Sequence, residues 1–324
     1  MTSILPVLLR VAAMFAALVW ICAPASAEDV LKVAIGQITN WENQPATLGM
    51  QAGIFQKHGL ALQTFGTQGA GETLQPIISG SADIGIGVGT SGAMRAFAKG
   101  APVRVLGAGI TGAGALYWYV RADSPIRGLK DLSERNTIAY STSGAVTNTI
   151  VLAFVKELGV KAKPTATGGP PATLTQVMSG QIDVGWSVPP LGIEEVQQGK
   201  IRIIARGSDL PGMRDLTLTV LVVNADALNA KKDVFVRFMR GYRETLDWMY
   251  SNPDAIKLYA EKINKSESIV RRGVEEFLPK ESLSPDQLSG VDATMAEAVN
   301  LKFLEKPLTK DELAEFVKIP ARGS

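Results

Sequence analysis

The chain contains almost no cysteine or histidine: Cys22 and His58 are the only residues of these types among 324. A single histidine argues against zinc sites and hydrolytic triads, which depend on this side chain. Because Cys22 lies in an N-terminal segment that we predict to be removed, the mature chain has neither a disulfide framework nor a thiol nucleophile. We therefore expect no metal, no cofactor and a stability based on core packing.

An excess of charge of either sign is also lacking. The chain has 33 basic and 31 acidic residues, so we expect no field strong enough to attract a nucleic acid. The partner predicted from this balance is a small molecule. With 46% hydrophobic residues, the chain is long enough to bury two ordinary cores, which we favour over one large core.

The N-terminus has the pattern of a secretory signal peptide. An apolar run at 11–22 is followed by Ala25-Ser26-Ala27 and then by the first acidic residues. A membrane span needs about 20 apolar residues, so this run favours export with cleavage over the alternative of a retained anchor. We predict a signal peptide at 1–27 and a mature chain beginning at Glu28.

An internal repeat predicts two similar α/β units. Residues 59–85 align with 159–185 at an offset of 100, and nine of the 27 positions are identical. Both copies have the pattern helix, strand, loop, helix, strand, which is typical of parallel sheets. The identical pairs include Thr67/Thr167, Gly69/Gly169, Thr73/Thr173 and Asp83/Asp183.

Two further strand-like segments, at 116–121 and 217–224, indicate crossings between two lobes. We predict lobe 1 at 28–120 plus 222–324, lobe 2 at 121–221, and a hinge of two strands. The helical segment from 232 onward is then expected to pack on lobe 1. The alternative is that both units pack together as one domain.

Ligands of open α/β sheets bind beyond the carboxyl ends of the strands, so four loops are expected to line one cleft. The loop at 141–148 combines hydroxyl groups with the start of a helix, whose free N–H groups suit an anion. A simple helix cap is the alternative for this loop. The predicted ligand-binding residues are Gln37, Asn40, Trp41, Thr90, Ser91, Ser141, Ser143, Gly144, Thr147, Asn148, Trp186 and Ser187.

A glycine pattern at 87–92 fits the dinucleotide fingerprint G-x-G-x-x-G. The acidic residue that would hold a ribose hydroxyl about 20 residues later is missing, because 105–112 contains no Asp or Glu. We therefore do not assign nucleotide binding to this stretch.

Three motifs together resemble the periplasmic binding proteins of ABC transporters that bind sulfonates, taurine, nitrate and thiamine pyrimidines. They are the segments LGMQAGIF at 48–55, ISGSADIG at 78–85, and DSPI at 123–126 with LKDL at 129–132. The resemblance implies a hinged two-lobe α/β fold of the periplasmic binding protein type. It also implies a permease and its ATPase as partners.

The predicted function is a periplasmic, monomeric solute-binding protein and not an enzyme. It is expected to capture a small anionic organic solute by lobe closure and to deliver it to an ABC transporter permease. Sulfonates and organic carboxylates both remain candidate solutes. The alternatives are an enzyme of the same fold, such as a pyrimidine-precursor synthase, and a partner that presents its ligand to a sensor.

Overall fold

The structure, a computed structural model, describes residues 28–323, so the predicted signal peptide lies outside the described residues. The described part contains ten strands and thirteen α-helices. The strands are β1 (Asp29–Gly36), β2 (Leu60–Thr67), β3 (Ile84–Gly89), β4 (Val103–Ala108), β5 (Tyr117–Arg121), β6 (Thr137–Tyr140), β7 (Lys163–Ala166), β8 (Gly185–Ser187), β9 (Ile201–Arg206) and β10 (Thr219–Asn224). The helices are α1 (Pro45–Gln51), α2 (Ile54–Lys57), α3 (Ala70–Ile78), α4 (Thr90–Ala98), α5 (Val146–Glu157), α6 (Pro170–Met178), α7 (Ile193–Gln197), α8 (Ala225–Ala230), α9 (Lys232–Ser251), α10 (Pro253–Ile263), α11 (Glu267–Phe277), α12 (Val291–Asn300) and α13 (Lys310–Phe316).

The strands form two sheets with the same plan. In the first sheet the order is β2-β1-β3-β10-β4, and only β10 is antiparallel to its neighbours. In the second, the pair β6-β7 joins β8-β5-β9 through a parallel bridge between Ile138 and Val184, and β5 is antiparallel to both β8 and β9. Each sheet therefore receives one antiparallel strand from the other half of the chain. This arrangement confirms the predicted α/β class.

The sequence repeat corresponds to repeated hydrogen bonds. In the first copy, Thr67 Oγ1 and Thr73 Oγ1 lie 2.6 Å apart between the end of β2 and helix α3. In the second copy, Thr167 Oγ1 and Thr173 Oγ1 lie 2.7 Å apart at the equivalent place. The repeated aspartates also make a matched pair of bonds, which join Lys32 N to Asp83 Oδ2 and Thr137 N to Asp183 Oδ2, each at 2.8 Å. The identical residues thus fasten the same loops and strands in both units.

The chain passes between the sheets at 109–116 and returns at 207–218. These two crossing segments lie side by side, because Thr111 and Thr217 form an antiparallel bridge and their hydroxyl oxygens are 3.1 Å apart. The N–H of Gly112 also donates to the second segment, at 2.9 Å from the carbonyl oxygen of residue 216. Strands β5 and β10 follow these crossings directly and belong to the sheets, so the connections between the sheets are the two crossing segments and not the two strands.

The C-terminal helices pack chiefly around the first sheet. The Phe238 ring of α9 stacks on Phe55 of α2 with the ring centroids 5.3 Å apart, and Val317 forms a parallel bridge with Val105 of β4. One part also reaches the second half of the fold, where Lys265 Nζ lies 2.5 Å from Glu194 Oε2. The segment that was expected to pack on lobe 1 therefore contacts the second unit as well.

Central strands are buried on both faces, as is typical of sheets covered by helices on each side. All six residues of β10 are buried. Within residues 28–323, no helix combines the length and apolar character that crossing a bilayer requires. The same residues contain no cluster of three or more potential metal ligands.

Candidate functional site

A small cavity lies between the two sheets at the ends of their strands. Of the twelve residues predicted to bind ligand, five line it: Gln37, Asn40, Ser141, Thr147 and Trp186. They follow β1 and β6 or lie on β8, so residues distant in sequence are brought together from both halves of the fold. A larger groove elsewhere, beside Arg104, Phe235 and Lys318, contains none of the twelve.

The first wall of the cavity contains an acidic residue that the sequence analysis did not select. A 3-10 turn, Trp41–Asn43, follows β1; Asn40 immediately precedes this turn and Glu42 is its middle residue. The relative exposures of Asn40 and Glu42 are only 3% and 8%. Asn40 Nδ2 donates to Glu42 Oε1 at 2.9 Å. The other oxygens, Asn40 Oδ1 and Glu42 Oε2, are buried without a hydrogen-bond partner. The signal that could have identified Glu42 is its place as the first carboxylate after a buried strand end.

Burial raises the pKa of the Glu42 carboxyl above its ordinary value, because a charged group is disfavoured away from water. Hydrogen bonds from the backbone and from Asn40 offset this effect only in part. Among the described residues that line the cavity, no lysine, arginine or histidine compensates the carboxylate.

The second wall is the loop that begins α5. Ser141 N donates to Thr147 Oγ1 at 2.9 Å, and the two hydroxyl oxygens are also 2.9 Å apart. The helix has no side-chain cap at its N-terminus, and its first amides, those of 146–148, have no acceptor among the described residues. Such amides carry a partial positive charge, so this wall suits an electron-rich group.

Gln37 and Trp186 complete the cavity from opposite halves of the fold. Gln37 has φ of 52°, a left-handed conformation that is uncommon for residues other than glycine, and its side-chain amide donates to the Gln68 carbonyl oxygen. Trp186 is 2% exposed and donates from Nε1 to the Gly168 carbonyl oxygen at 3.2 Å. Its ring is therefore held in a fixed orientation at the cavity wall.

Trp41, which was expected to stack on the ligand, lies outside the lining. Its ring packs edge-on against Tyr250 and Tyr259, at centroid distances of 6.0 and 5.1 Å. Trp41 Nε1 also donates to the Tyr250 hydroxyl at 3.1 Å. The 3-10 turn points this side chain into the core between α9 and α10, while its neighbours face the cavity.

The other six predicted residues also lie outside the lining. Ser143 is exposed, and Ser91 lines a separate small pocket together with Thr90. Three groups have partners within the protein: Thr90 Oγ1 donates to the Thr217 carbonyl oxygen at 2.7 Å, Ser187 Oγ donates to the Leu191 carbonyl oxygen at 2.9 Å, and Asn148 Oδ1 accepts from the Gly144 N–H at 3.2 Å.

The two halves touch through backbone beside the cavity. An added Cβ would come within 2.4 Å of the Gly144 carbonyl oxygen at Gly89 and within 2.5 Å at Gly92. A second contact joins the repeated loops, where Gly169 N donates to Gln68 Oε1 at 3.3 Å. The glycines allow an approach that any larger residue would prevent.

Solved structures with this fold are found among binding proteins. The alkanesulfonate-binding protein SsuA from Xanthomonas axonopodis pv. citri, bound to MOPS, has a TM-score of 0.75 at 18% identity, over 91% of this chain and all of that one. The periplasmic aliphatic sulphonate binding protein SsuA from Escherichia coli has a TM-score of 0.69 at 16% identity, over 90% and 93%. The periplasmic nitrate-binding protein NrtA from Synechocystis PCC 6803 has a TM-score of 0.66 at 13% identity, over 89% and 85%. No match was found among the curated proteins.

Two similar sheets that exchange a strand and enclose a cavity between them define the periplasmic binding protein fold, as these neighbours confirm. The family model described as "NMT1/THI5 like" matches residues 29–256, well over half of the chain. The chain therefore belongs to the NMT1/THI5-like family, and the predicted resemblance is confirmed. These three solved neighbours are named as binding proteins and none of them as an enzyme, in agreement with the predicted class.

Proposed function

We propose that this chain is an extracytoplasmic solute-binding protein that captures a small anionic organic solute by lobe closure and delivers it to an ABC transporter permease. The observation that carries the proposal is the cavity itself. Its polar lining comes from loops at the strand ends of both sheets, beside a place where the two halves are in backbone contact. A ligand that contacts both lobes stabilises the closed state and so shifts the population toward it.

The proposed moving bodies are a lobe 1 built on the first sheet and a lobe 2 built on the second, so that β5 moves with lobe 2, β10 moves with lobe 1, and the boundaries lie in the crossings at 109–116 and 207–218. The paired crossing segments around Thr111 and Thr217 suit a hinge, since they are the connections between the two sheets. A shift from 1:99 to 99:1 in favour of the closed state requires about 5.5 kcal/mol of differential affinity. Contacts from both walls of the cavity are a sufficient source of that difference.

An anionic group on the solute is supported by the second wall. The uncapped amides at the start of α5, together with the hydroxyls of Ser141 and Thr147, supply hydrogen-bond donors without a formal charge. The neighbours named as sulfonate-binding and nitrate-binding proteins bind anions, which agrees with this assignment.

We propose that the mature chain is exported to the periplasm as a monomer, with the permease and its ATPase as its partners.

Among the twelve predicted contacts, the five that line the cavity are the strongest candidates for direct binding. Asn40 and Gln37 approach from lobe 1, while Ser141, Thr147 and Trp186 approach from lobe 2. Trp186 offers an apolar face for the organic part of the solute, because its one polar atom is already bonded to the backbone.

A thermal-shift panel on the mature protein tests the proposal. Sulfonates, nitrate, and aromatic and aliphatic carboxylates are added singly, and a ligand present at 100 times its Kd is expected to contribute about 2.7 kcal/mol of stability. Ser141→Ala is expected to reduce the shift, while Thr175→Ala, which removes an exposed helical hydroxyl outside the cavity, should leave it unchanged. A panel without any shift, or turnover of a bound compound, would contradict the proposal.

A further inference from the structure

Helix α11 is attached to lobe 1 at both of its ends. Before it, α10 packs on the loop after β1, where the Tyr259 hydroxyl donates to the Thr39 carbonyl oxygen at 2.7 Å. After it, the Leu278 carbonyl oxygen accepts from the Tyr250 hydroxyl of α9, also at 2.7 Å. The residues on either side of the helix are therefore held on the body that carries the first sheet.

Between these ends, one side of α11 lies on lobe 2. Gly273 packs so closely on the loop after β8 that an added Cβ would lie 2.7 Å from Pro190 Cα. One turn further along, the guanidinium carbon of Arg206, at the end of β9, lies 5.3 Å from the centroid of the Phe277 ring. These contacts join a helix of one lobe to a loop and a strand of the other.

An ion pair extends the contact at the beginning of the helix. Lys265 Nζ, two residues before α11, lies 2.5 Å from Glu194 Oε2 and 3.5 Å from Glu195 Oε1, and both acids belong to α7 of lobe 2. The side chain of Glu195 is only 17% exposed, and its Oε2 has no hydrogen-bond partner among the described residues. Without the ammonium, two adjacent carboxylates would lack their cation, which is costly for the buried one.

The loop on which α11 lies begins in the wall of the cavity. Trp186 and Val188 line the cavity, and Pro190 follows two residues later. The Leu191 carbonyl oxygen accepts from the Tyr117 hydroxyl of β5 at 2.6 Å, which fixes the loop to the second sheet. The position of α11 on this loop is therefore coupled to the position of the wall that carries Trp186.

We infer that Lys265 is a positioning residue for ligand capture, which docks α11 on lobe 2 and so stabilises the closed arrangement without contacting the solute. Lys265 lies outside the lining of the cavity. Moving the lobes apart separates α7 and Pro190 from a helix held on lobe 1, so the open state lacks these contacts. The inference rests on the proposed closure and adds to it a contact far from the solute.

Two spin labels measure the separation of the lobes. Gln75 on α3 and Thr175 on α6 are exposed and occupy equivalent positions in the two repeats. The labels are introduced through Gln75→Cys and Thr175→Cys, since the one natural cysteine, Cys22, lies in the predicted signal peptide. Electron–electron double resonance gives the closed fraction of the mature protein alone, with ethanesulfonate and with benzoate.

Two substitutions of Lys265 test the ion pair. Lys265→Met removes the charge and is expected to lower the ratio of closed to open protein by about 3- to 10-fold, between the effects of exposed and buried pairs. Lys265→Arg keeps a cation and is expected to retain closure. Lys257→Met removes the same charge from an exposed position on α10 and serves as the matched control.

Gly273→Ala separates closure from stability. Alanine favours a helix interior, so the variant is expected to remain as stable as the original protein in melting experiments. Its Cβ is too close to Pro190 when α11 is docked, so the ratio of closed to open protein is expected to fall by about 5-fold or more. A merely structural contact would instead lower the melting temperature and leave the distances unchanged.

The outcomes distinguish this inference from the proposed function. If Lys265→Met and Gly273→Ala keep the closed fraction of Lys257→Met, the inference is overturned, while a compound that still closes the protein upholds the proposed function. If no compound binds but both variants lose closed protein, the proposed function is overturned and the effect of α11 on closure stands. If the original protein shows one unchanged distance under every condition, both are overturned.

Discussion

Gly92→Ala is predicted to weaken ligand binding without weakening the fold of either lobe. Gly92 lies in the first turn of α4 and does not have a positive φ, so alanine fits its backbone conformation and favours the helix. Its added Cβ, however, would come within 2.5 Å of the Gly144 carbonyl oxygen across the cleft, below the 3.0 Å that real Cβ atoms keep. Because that neighbour is backbone, the contact is relieved only by moving the lobes apart.

The size of the effect follows from the cost of overpacking, which is about 1–3 kcal/mol. This cost applies to the closed state alone, so it is expected to lower ligand affinity by about 5- to 150-fold. The affinity of Gly92→Ala and of the original protein is measured by calorimetry with the compound that gives the largest shift in the thermal-shift panel. Small-angle scattering gives the radius of gyration of both proteins with and without this compound, and melting of the unliganded proteins gives their stability.

Two glycine variants serve as controls. An added Cβ at Gly71 would lie 3.1 Å from the Ser143 carbonyl oxygen, so Gly71→Ala is expected to have a smaller effect. At Gly128 an added Cβ meets nothing within 4 Å, and Gly128→Ala should bind like the original protein. Unchanged affinity in Gly92→Ala, or a fall in unliganded stability as large as the loss of affinity, would refute closure through this contact.

Three further predictions concern stability and pH. Glu42→Gln is expected to stabilise the unliganded protein at pH 7 by about 1–3 kcal/mol, because it removes a buried carboxylate with an unpaired oxygen. Since burial raises the Glu42 pKa in the folded state, the stability of the original protein falls as the pH rises from about 4.5 through that raised value, so the gain of the variant should vanish near pH 4 in melting experiments. Lys262 of α10 donates from Nζ to Gln44 Oε1 at 2.7 Å, and desolvation of this end lowers its pKa to about 8. The stability of the original protein should therefore rise between pH 8 and about 10.4 relative to Lys262→Met. The gain is expected to be at most about 1 kcal/mol, because the rest of the side chain is exposed and solvent screens its charge. Trp41→Phe is expected to cost about 1–3 kcal/mol through loss of the bond to Tyr250 and to leave ligand affinity unchanged, whereas Trp186→Phe should reduce affinity in fluorescence titrations.

Each of these predictions has an outcome that contradicts it. A Glu42→Gln gain that persists at pH 4 would mean that the substitution acts through packing and not through charge. Parallel pH profiles for the original protein and Lys262→Met would show that the lysine is fully solvated. Weaker ligand binding by Trp41→Phe with unchanged melting would return Trp41 to the ligand site.

The sheets could be predicted from the sequence because their signals are local. Strands such as β3 and β4 are short, mostly apolar runs that contain glycine, and the repeated threonine and aspartate positions mark loops whose hydrogen bonds are the same in both units. Which strands are neighbours in each sheet was harder to predict. The segments at 116–121 and 217–224 were identified as crossings, but their places between β8 and β9 and between β3 and β4 depend on contacts with residues far away in the chain.

The candidate site was predictable at the level of loops and not of side-chain directions. Parallel strands determine where the loops after β1 and β6 meet, which is why Asn40, Ser141 and Thr147 were found. Whether Trp41 or Glu42 faces the cavity is decided by one 3-10 turn, in which neighbouring side chains point in different directions. The sequence pattern did not distinguish those two positions, and the aromatic residue was chosen over the acid.

The exchange of β5 and β10 has a consequence for how the protein is made. In the first sheet, β3 and β4 are each bonded to β10, which is more than 100 residues away in sequence from both. Until that strand is present, both keep an unpaired edge that invites association with other chains. A fragment that ends after β5 should therefore aggregate, and neither half of the chain is expected to fold as an autonomous lobe. Such distant pairings also slow folding, and the first sheet cannot be completed until β10, which ends at residue 224 of 324, has been synthesised.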